Sequence, residues 1–539
     1  MKKNILKLIC LVLTVCMILP ILAACDTGSG EAEETTTVNN ATEAPTTEKP
    51  TEKPTDDITH DVVTEKPTEE PTTEQPTTEA PTTEAPTTEQ PTDDTDTTEQ
   101  PTEKPTESVT TEEPTEEPTT EQPTTEEPTE PVTEPPYVIE GLDVYGENMH
   151  GNMQNIFAGD TVFYESLMFI DKGETTQLLF PIDTVVTLQT YNGRKTYVEG
   201  RDYQIIDGKL YIPETSTINV ITSGTYYKHH TSSQMLKENY NGTDVFVYWG
   251  EGEIMTQWQL RITYTHTTEW EGFKQESYAK NFEPIIKKLI AGEDVTFIFY
   301  GDSITCGATS SWFNGTPTLD WYERKSFHQW SYSMLFTQAL ADLFGYTIHF
   351  VDASSLHAII KAPPEDYVGG TRGTINYINP SVGGWTSKNG LDNFDTYVKP
   401  FIEKYGCDLF GVAFGMNDAG VDPQVTANTI KSIYQKAMAV DNDFHALIVS
   451  TMMPNNKATN GWYGNQQYQE EKLMTLVDEL NAAGVGTGIA RVSSVSKSML
   501  QRIDFRDYTG NNINHPNDFM HRVYAQTCLQ AFLGYETIK

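Results

Sequence analysis

Two hydrophobic rhythms divide the C-terminal part of the chain. From about Tyr137 to His266, apolar and polar residues alternate over short runs. Thr184–Thr190, Lys195–Val198, Tyr203–Ile206 and Leu210–Ile212 each read as strands with one buried face. Asn192-Gly193 and Asp207-Gly208 between them are hairpin dipeptides, since such turns need positive φ at their central residues. Asp244–Trp249 and Gln257–Tyr264 repeat the pattern around Gly250 and Gly252. Short strands with frequent turns predict a β-sandwich or jelly-roll domain at residues 137–275. Strand aromatics such as Trp249 and Trp258 are expected in its core more than on a sugar-binding face.

From about Glu283 the period changes. Strand-length apolar runs fall at Val295–Tyr300, Thr347–Asp352, Leu409–Phe414, Ala446–Thr451 and Gly488–Val492. Helix-period stretches near Ser326–Phe344, Leu391–Tyr405, Val425–Val440, Gln467–Ala483 and Phe519–Phe532 separate them. Such alternation predicts an α/β domain at residues 283–539, built on a doubly wound, flavodoxin-like parallel sheet.

The N-terminal quarter has neither rhythm. Lys2, Lys3 and Lys7 flank or interrupt an apolar stretch to Leu22, which closes on Leu22-Ala23-Ala24-Cys25. A charged start, an apolar run too short to span a bilayer and small residues before a cut describe an export signal over residues 1–24. Its last residues resemble the lipobox of bacterial lipoproteins, which implies Cys25 as a lipidated first residue of the mature chain. The expected location is the outer face of the cell membrane, with the lipid anchor as the sole membrane contact.

Residues 25–136 are Thr-, Pro- and Glu-rich and repeat Pro-Thr-Thr-Glu-X most clearly from Pro71 to Gln90. Without aromatics this tract cannot bury enough surface to offset chain entropy, so a disordered linker is predicted. It also carries most of the charge. Residues 31–136 hold 31 acidic residues against 4 lysines, so residues 137–539 keep only about −16 of the net −41. With no basic face to neutralise phosphates, nucleic acid is excluded as a partner class. Beyond the signal and Cys25 stand Cys306, Cys407 and Cys528, whose spacing makes neither a disulfide framework nor a zinc pattern.

Chemistry gathers at the predicted strand ends. Gly301-Asp302-Ser303 follows the first apolar run, where α/β folds place their sites. A serine there needs a base and donors for a developing oxyanion. Asn379-Pro-Ser-Val-Gly-Gly-Trp-Thr386 lies between the second and third runs, and Gly415-Met-Asn-Asp418 follows the third. Glycine lets backbone N–H groups approach a ligand, and an asparagine amide is a neutral donor. Asn511-Asn-Ile-Asn-His-Pro-Asn-Asp518 sets His515 on a loop before the last helix, with His521 nearby.

These four blocks resemble the SGNH (GDSL-like) hydrolase family over about residues 290–536. The resemblance implies Ser303 as nucleophile and His515 as base. It implies an oxyanion hole of the Ser303 N–H, the Gly384 N–H (Gly383 in reserve) and the Asn417 amide, with no metal or organic cofactor. The family usually has aspartate three residues before its histidine; Asn512 stands there and is the candidate orienter, with a backbone carbonyl, Asp507 and Asp518 as alternatives. Anchor, stalk and β-rich segment together resemble bacterial carbohydrate acetylesterases. The implied substrate is acetylated polysaccharide such as hemicellulose. Loop aromatics Trp312, Trp321, Trp385 and Trp462 suit sugar rings. Peptidoglycan O-acetyl or short-chain acyl esters form a second enzymatic class. A non-catalytic glycan-binding surface protein is a third.

Overall fold

The computed structural model describes residue 153 and residues 155–227, 236–252, 254–311, 329–353, 363, 365–459 and 461–534. The chain divides into two units, Met1–Glu121 and Gln122–Lys539, and every described residue falls in the second. Cys25, the Thr/Pro/Glu tract, Trp312 and Trp321 lie outside the described residues.

Apolar runs buried on both faces become the central strands, as expected of a sheet covered by helices on both sides. β9 (Val295–Gly301) is buried at every position. Around it stand β10 (Thr347–Val351), β11 (Tyr367–Val368), β12 (Thr374–Ile378), β13 (Leu409–Ala413), β14 (His445–Val449) and β15 (Thr487–Ala490). Their order is β11-β10-β12-β9-β13-β14-β15, all parallel except the β11 edge. The chain fills one side of β9 first and then crosses to β13. Direction therefore reverses between β9 and β13, and the crevice at their carboxyl ends is where such sheets take ligands.

Helices Tyr332–Phe344, Ser387–Tyr397, Pro423–Met438, Gln466–Ala482 and Asp518–Leu533 match the predicted ones, though the Leu391–Tyr405 stretch divides into Ser387–Tyr397 and Lys399–Tyr405. Several elements escape the hydrophobic pattern, among them the strand Thr161–Met168, β11, the helix Val492–Met499, β12 and the helix Ala279–Ala291. In β12, Thr374 and Asn376 alternate with Ile375 and Tyr377, but over only five residues, too short a run to stand out. Helix Ala279–Ala291 contains Pro284, a residue that usually marks a break.

The preceding segment departs from a self-contained sandwich. β1 (Thr161–Met168), β8 (Gln259–Thr265) and β3 (Thr184–Thr190) form an antiparallel sheet in the order β1-β8-β3. β2 (Thr175–Thr176), β5 (Lys209–Tyr211) and β4 (Gln204–Ile206) form a second small sheet; β6 (Lys237–Tyr240) and β7 (Thr243–Phe246) form a hairpin. Lys195–Val198 is no strand; only an isolated bridge joins Thr196 to Gln189. One apolar core runs from Leu167, Leu260 and Tyr264 into Phe519, Val523 and Leu529. The apolar face of this three-stranded sheet must be covered, and here the last helix of the α/β layer supplies its second layer. The expected boundary near residues 275–283 is crossed by this shared core. Trp249 is buried and Trp258 packs against the same apolar cluster, as expected, although both lie just outside the strands.

Candidate active site

The site begins where β9 ends. Gly301 is required there: a Cβ on it would lie 2.3 Å from Thr305 Oγ1 and 2.5 Å from the Ala413 carbonyl oxygen. Asp302 caps the one-turn helix Ser303–Cys306 by accepting the Ile304 N–H at 3.0 Å. Burial pushes its carboxyl up to about 7. Ser303 opens the helix and is 8% exposed. Three residues on, the free Cys306 is packed and buried, and burial drives its thiol well above its ordinary range.

The second block is stitched to that strand end. Gly301 N–H donates to Ser381 Oγ at 2.9 Å, and Val382 N–H donates to Gly301 O at 3.1 Å. Gly383 comes beside the serine, its Cβ position 3.7 Å from Ser303 Cβ. Gly384 follows with φ 75° in open space. The third block joins the second from β13. Asn417 Nδ2 donates to the Trp385 carbonyl at 3.0 Å, a bond that uses one of its two amide hydrogens. Buried Asp418 accepts from Ser387 N–H and Oγ–H, both at 3.0 Å. Trp385 itself packs edge-on against Tyr300 and Tyr397. Ser303, Gly383, Gly384 and Asn417 are thus gathered at the switch point.

His515 completes the group, its Nε2 2.9 Å from Ser303 Oγ. Burial lowers its pKa to about 4. His521, the neighbouring candidate, is committed elsewhere: Tyr332 N–H donates to its Nδ1, and its Nε2 faces Ala308 O at 3.2 Å.

The candidate orienter is displaced by one residue. Asn512 takes φ 65° and turns its side chain toward the helix Ser223–Tyr226 and the segment after β7. There its Nδ2 donates to Tyr248 O at 2.7 Å and Tyr226 Oη at 3.2 Å. The alternatives are also occupied: Asp507 Oδ1 accepts Met168 N–H at 2.9 Å, and Asp518 Oδ1 accepts Ser311 N–H at 2.7 Å. The residue at the His515 Nδ1 is Asn511, its Nδ2 3.1 Å away. Asn511 Oδ1 accepts the N–H groups of Ile513, Asn514 and His515 at 2.9, 3.0 and 3.0 Å, winding the loop around its own side chain. An asparagine followed by a short irregular stretch carries that Asx-turn signal, which a search at the three-residue interval passes over.

Among the described residues no group of three or more His, Cys, Asp or Glu side chains forms a metal site. No family model matches the chain, and no curated protein does. Among solved structures it is similar to a two-domain esterase active on acetylated mannans, at 19% identity and a TM-score of 0.32, over 47% of this chain and 52% of that one. It spans about half the length of that esterase. It is similar also to Axe2, an acetylxylan esterase from Geobacillus stearothermophilus, at 14% identity and a TM-score of 0.30, over 46% of this chain and 96% of that one. Both are named as esterases of acetylated glycans.

Proposed function

We propose that this chain is a serine esterase that removes acyl groups, chiefly acetyl, from carbohydrate outside the cell. The observation that carries the reading is the 2.9 Å contact between Ser303 Oγ and His515 Nε2 at the β9–β13 switch point. In the proposed reaction His515 takes the Ser303 proton as Oγ attacks the ester carbonyl, and returns it to the departing sugar oxygen. The Asn417 amide, with backbone N–H groups of Ser303 and of the Gly383–Gly384 turn, faces the carbonyl oxygen as it gains charge. Water then repeats the cycle and frees acetate. The carbohydrate part rests on sequence: the expected export signal, the Thr/Pro/Glu-rich tract and the loop tryptophans.

Acetate release from acetylated xylan, acetylated mannan, O-acetylated peptidoglycan and a chromogenic acetate ester tests the reading, with Ser303→Ala as control. Release from a plant-type glycan that falls at least ~10³-fold in Ser303→Ala is expected. Activity indifferent to that substitution removes Ser303 as nucleophile. Turnover of the chromogenic ester with no glycan removes the carbohydrate assignment. No turnover of any ester favours a glycan-binding protein with an inert hydrolase site.

A further inference from the structure

The hydrogen bonds around Asn511 fix more than the angle of the imidazole. A neutral imidazole has one N–H, and the partner of one nitrogen decides which carries it. Backbone N–H groups only donate. Three of them, from Ile513, Asn514 and His515, meet a single side-chain atom of Asn511, with Thr509 Oγ1 a fourth neighbour at 3.3 Å. That atom must be the oxygen; the reverse assignment sets an NH₂ against three donors. The other end is therefore the NH₂. Its two hydrogens have two acceptors, Asn514 Oδ1 at 3.0 Å and His515 Nδ1 at 3.1 Å.

We infer that Asn511 holds His515 in the Nε2–H tautomer, so that this positioning residue parks the imidazole with its proton directed at Ser303 Oγ. In that form Nε2 donates to the serine and has no lone pair to receive the serine's proton. The base form needs one proton gained at Nδ1 from water and one lost from Nε2 to water, with no net change. It also sets Nδ1–H against the Asn511 NH₂, two donors face to face, until the amide withdraws. In a serine-protease triad, an amide in place of the orienting carboxylate leaves the geometry intact and lowers turnover about 10⁴-fold through this same wrong tautomer. Here the amide is the native group. The consequence for rate rests on Ser303 and His515 being nucleophile and base; the tautomer itself does not.

Asn511→Asp is the informative substitution. One carboxylate oxygen keeps the three backbone N–H bonds, and the other accepts Nδ1–H, which frees the Nε2 lone pair. The experiment uses the full chain labelled with ¹⁵N-histidine near neutral pH, the His515 signals being identified by their loss in His515→Gln. One-bond ¹⁵N–¹H coupling reports which nitrogen bears the proton. Expected are Nε2–H in the native protein and Nδ1–H in Asn511→Asp. A rise in kcat of at least about tenfold on a chromogenic acetate ester, with a smaller change in KM, should accompany the switch. Nδ1–H in the native protein overturns the inference, and that spectrum decides the matter even if Asn511→Asp does not fold. An unchanged tautomer in folded Asn511→Asp overturns it too. So does a switched tautomer with unchanged kcat, as regards parking. If neither protein hydrolyses any ester, the esterase reading fails while the native spectrum still tests the tautomer.

Discussion

His515 and His521 stand six residues apart in one buried neighbourhood, and hydrogen bonding separates their roles. Both ring nitrogens of His521 face backbone groups, whereas His515 presents Nε2 to Ser303. Burial opposes the cation in each, lowering His515 to about 4 and His521 to about 3. The sign follows directly. A histidine with a depressed pKa stays neutral until the pH falls through the lowered value, so His515 remains unprotonated through the ordinary histidine range near 6.5. The acid limb of kcat/KM for a chromogenic acetate ester is therefore expected close to pH 4. A limb near 6.5 would mean that burial does not depress the imidazole, and one well above 6.5 that a carboxylate stabilises the imidazolium, contrary to the amide at Nδ1. Stability moves the same way: the unfolded chain binds these two protons near 6.5 and the folded one does not, so stability is lost as pH falls below 6.5.

At the scale of elements, the His515 loop is gripped from both sides. Gly250 and Met255 donate backbone N–H groups to Asn511 O and Gly510 O, and Asn455 Nδ2 donates to Asn512 O at 2.8 Å. Asn512→Gly keeps the left-handed φ while removing the bonds to Tyr248 and Tyr226. Two buried acceptors lose a partner, so the variant should be less stable by about 1–3 kcal/mol, read from denaturant unfolding. Its kcat per folded molecule should fall less than about tenfold, against the ~10⁴ of a tautomer-level defect. A large loss of kcat with unchanged stability would return the orienting role to Asn512. The same loop shows where sequence reading stops. Ser303 and Asn417 were legible as candidates because doubly buried strands read as apolar runs and their blocks follow the strand ends, and His515 because its loop leads into the last helix. Asn511 was hidden because a three-residue interval presumes a loop geometry, and this loop winds around a side chain four residues back. β12 was hidden for a different reason: its alternation lasts only five residues, and the pairing with β9 and β10 that makes it a strand is not local.

For the whole molecule, the antiparallel strands act as part of the α/β layer. Beyond the shared apolar core, a polar seam crosses between them. Ser166 Oγ donates to Asp507 O, Gln259 Nε2 to Thr509 O at 2.8 Å, Asn517 Nδ2 to Gln259 Oε1 at 3.0 Å, and Asp518 N–H to Tyr191 Oη at 2.7 Å. Asp507, Thr509, Asn517 and Asp518 all lie within eight residues of His515, so the seam positions the loop that carries the candidate base. Removing the strands would expose Phe519 and Val523 and leave these buried polar groups unpaired, at about 1–3 kcal/mol each. Against a total stability of roughly 5–15 kcal/mol, several such losses are decisive. A chain of residues 276–539 should therefore show no cooperative thermal unfolding and no esterase activity. One of residues 137–539 should keep the kcat/KM of the full chain on a soluble acetate ester. Cooperative unfolding and full turnover by residues 276–539 would make the strands an independent module; loss of turnover in residues 137–539 would give the Thr/Pro/Glu tract a part in the site.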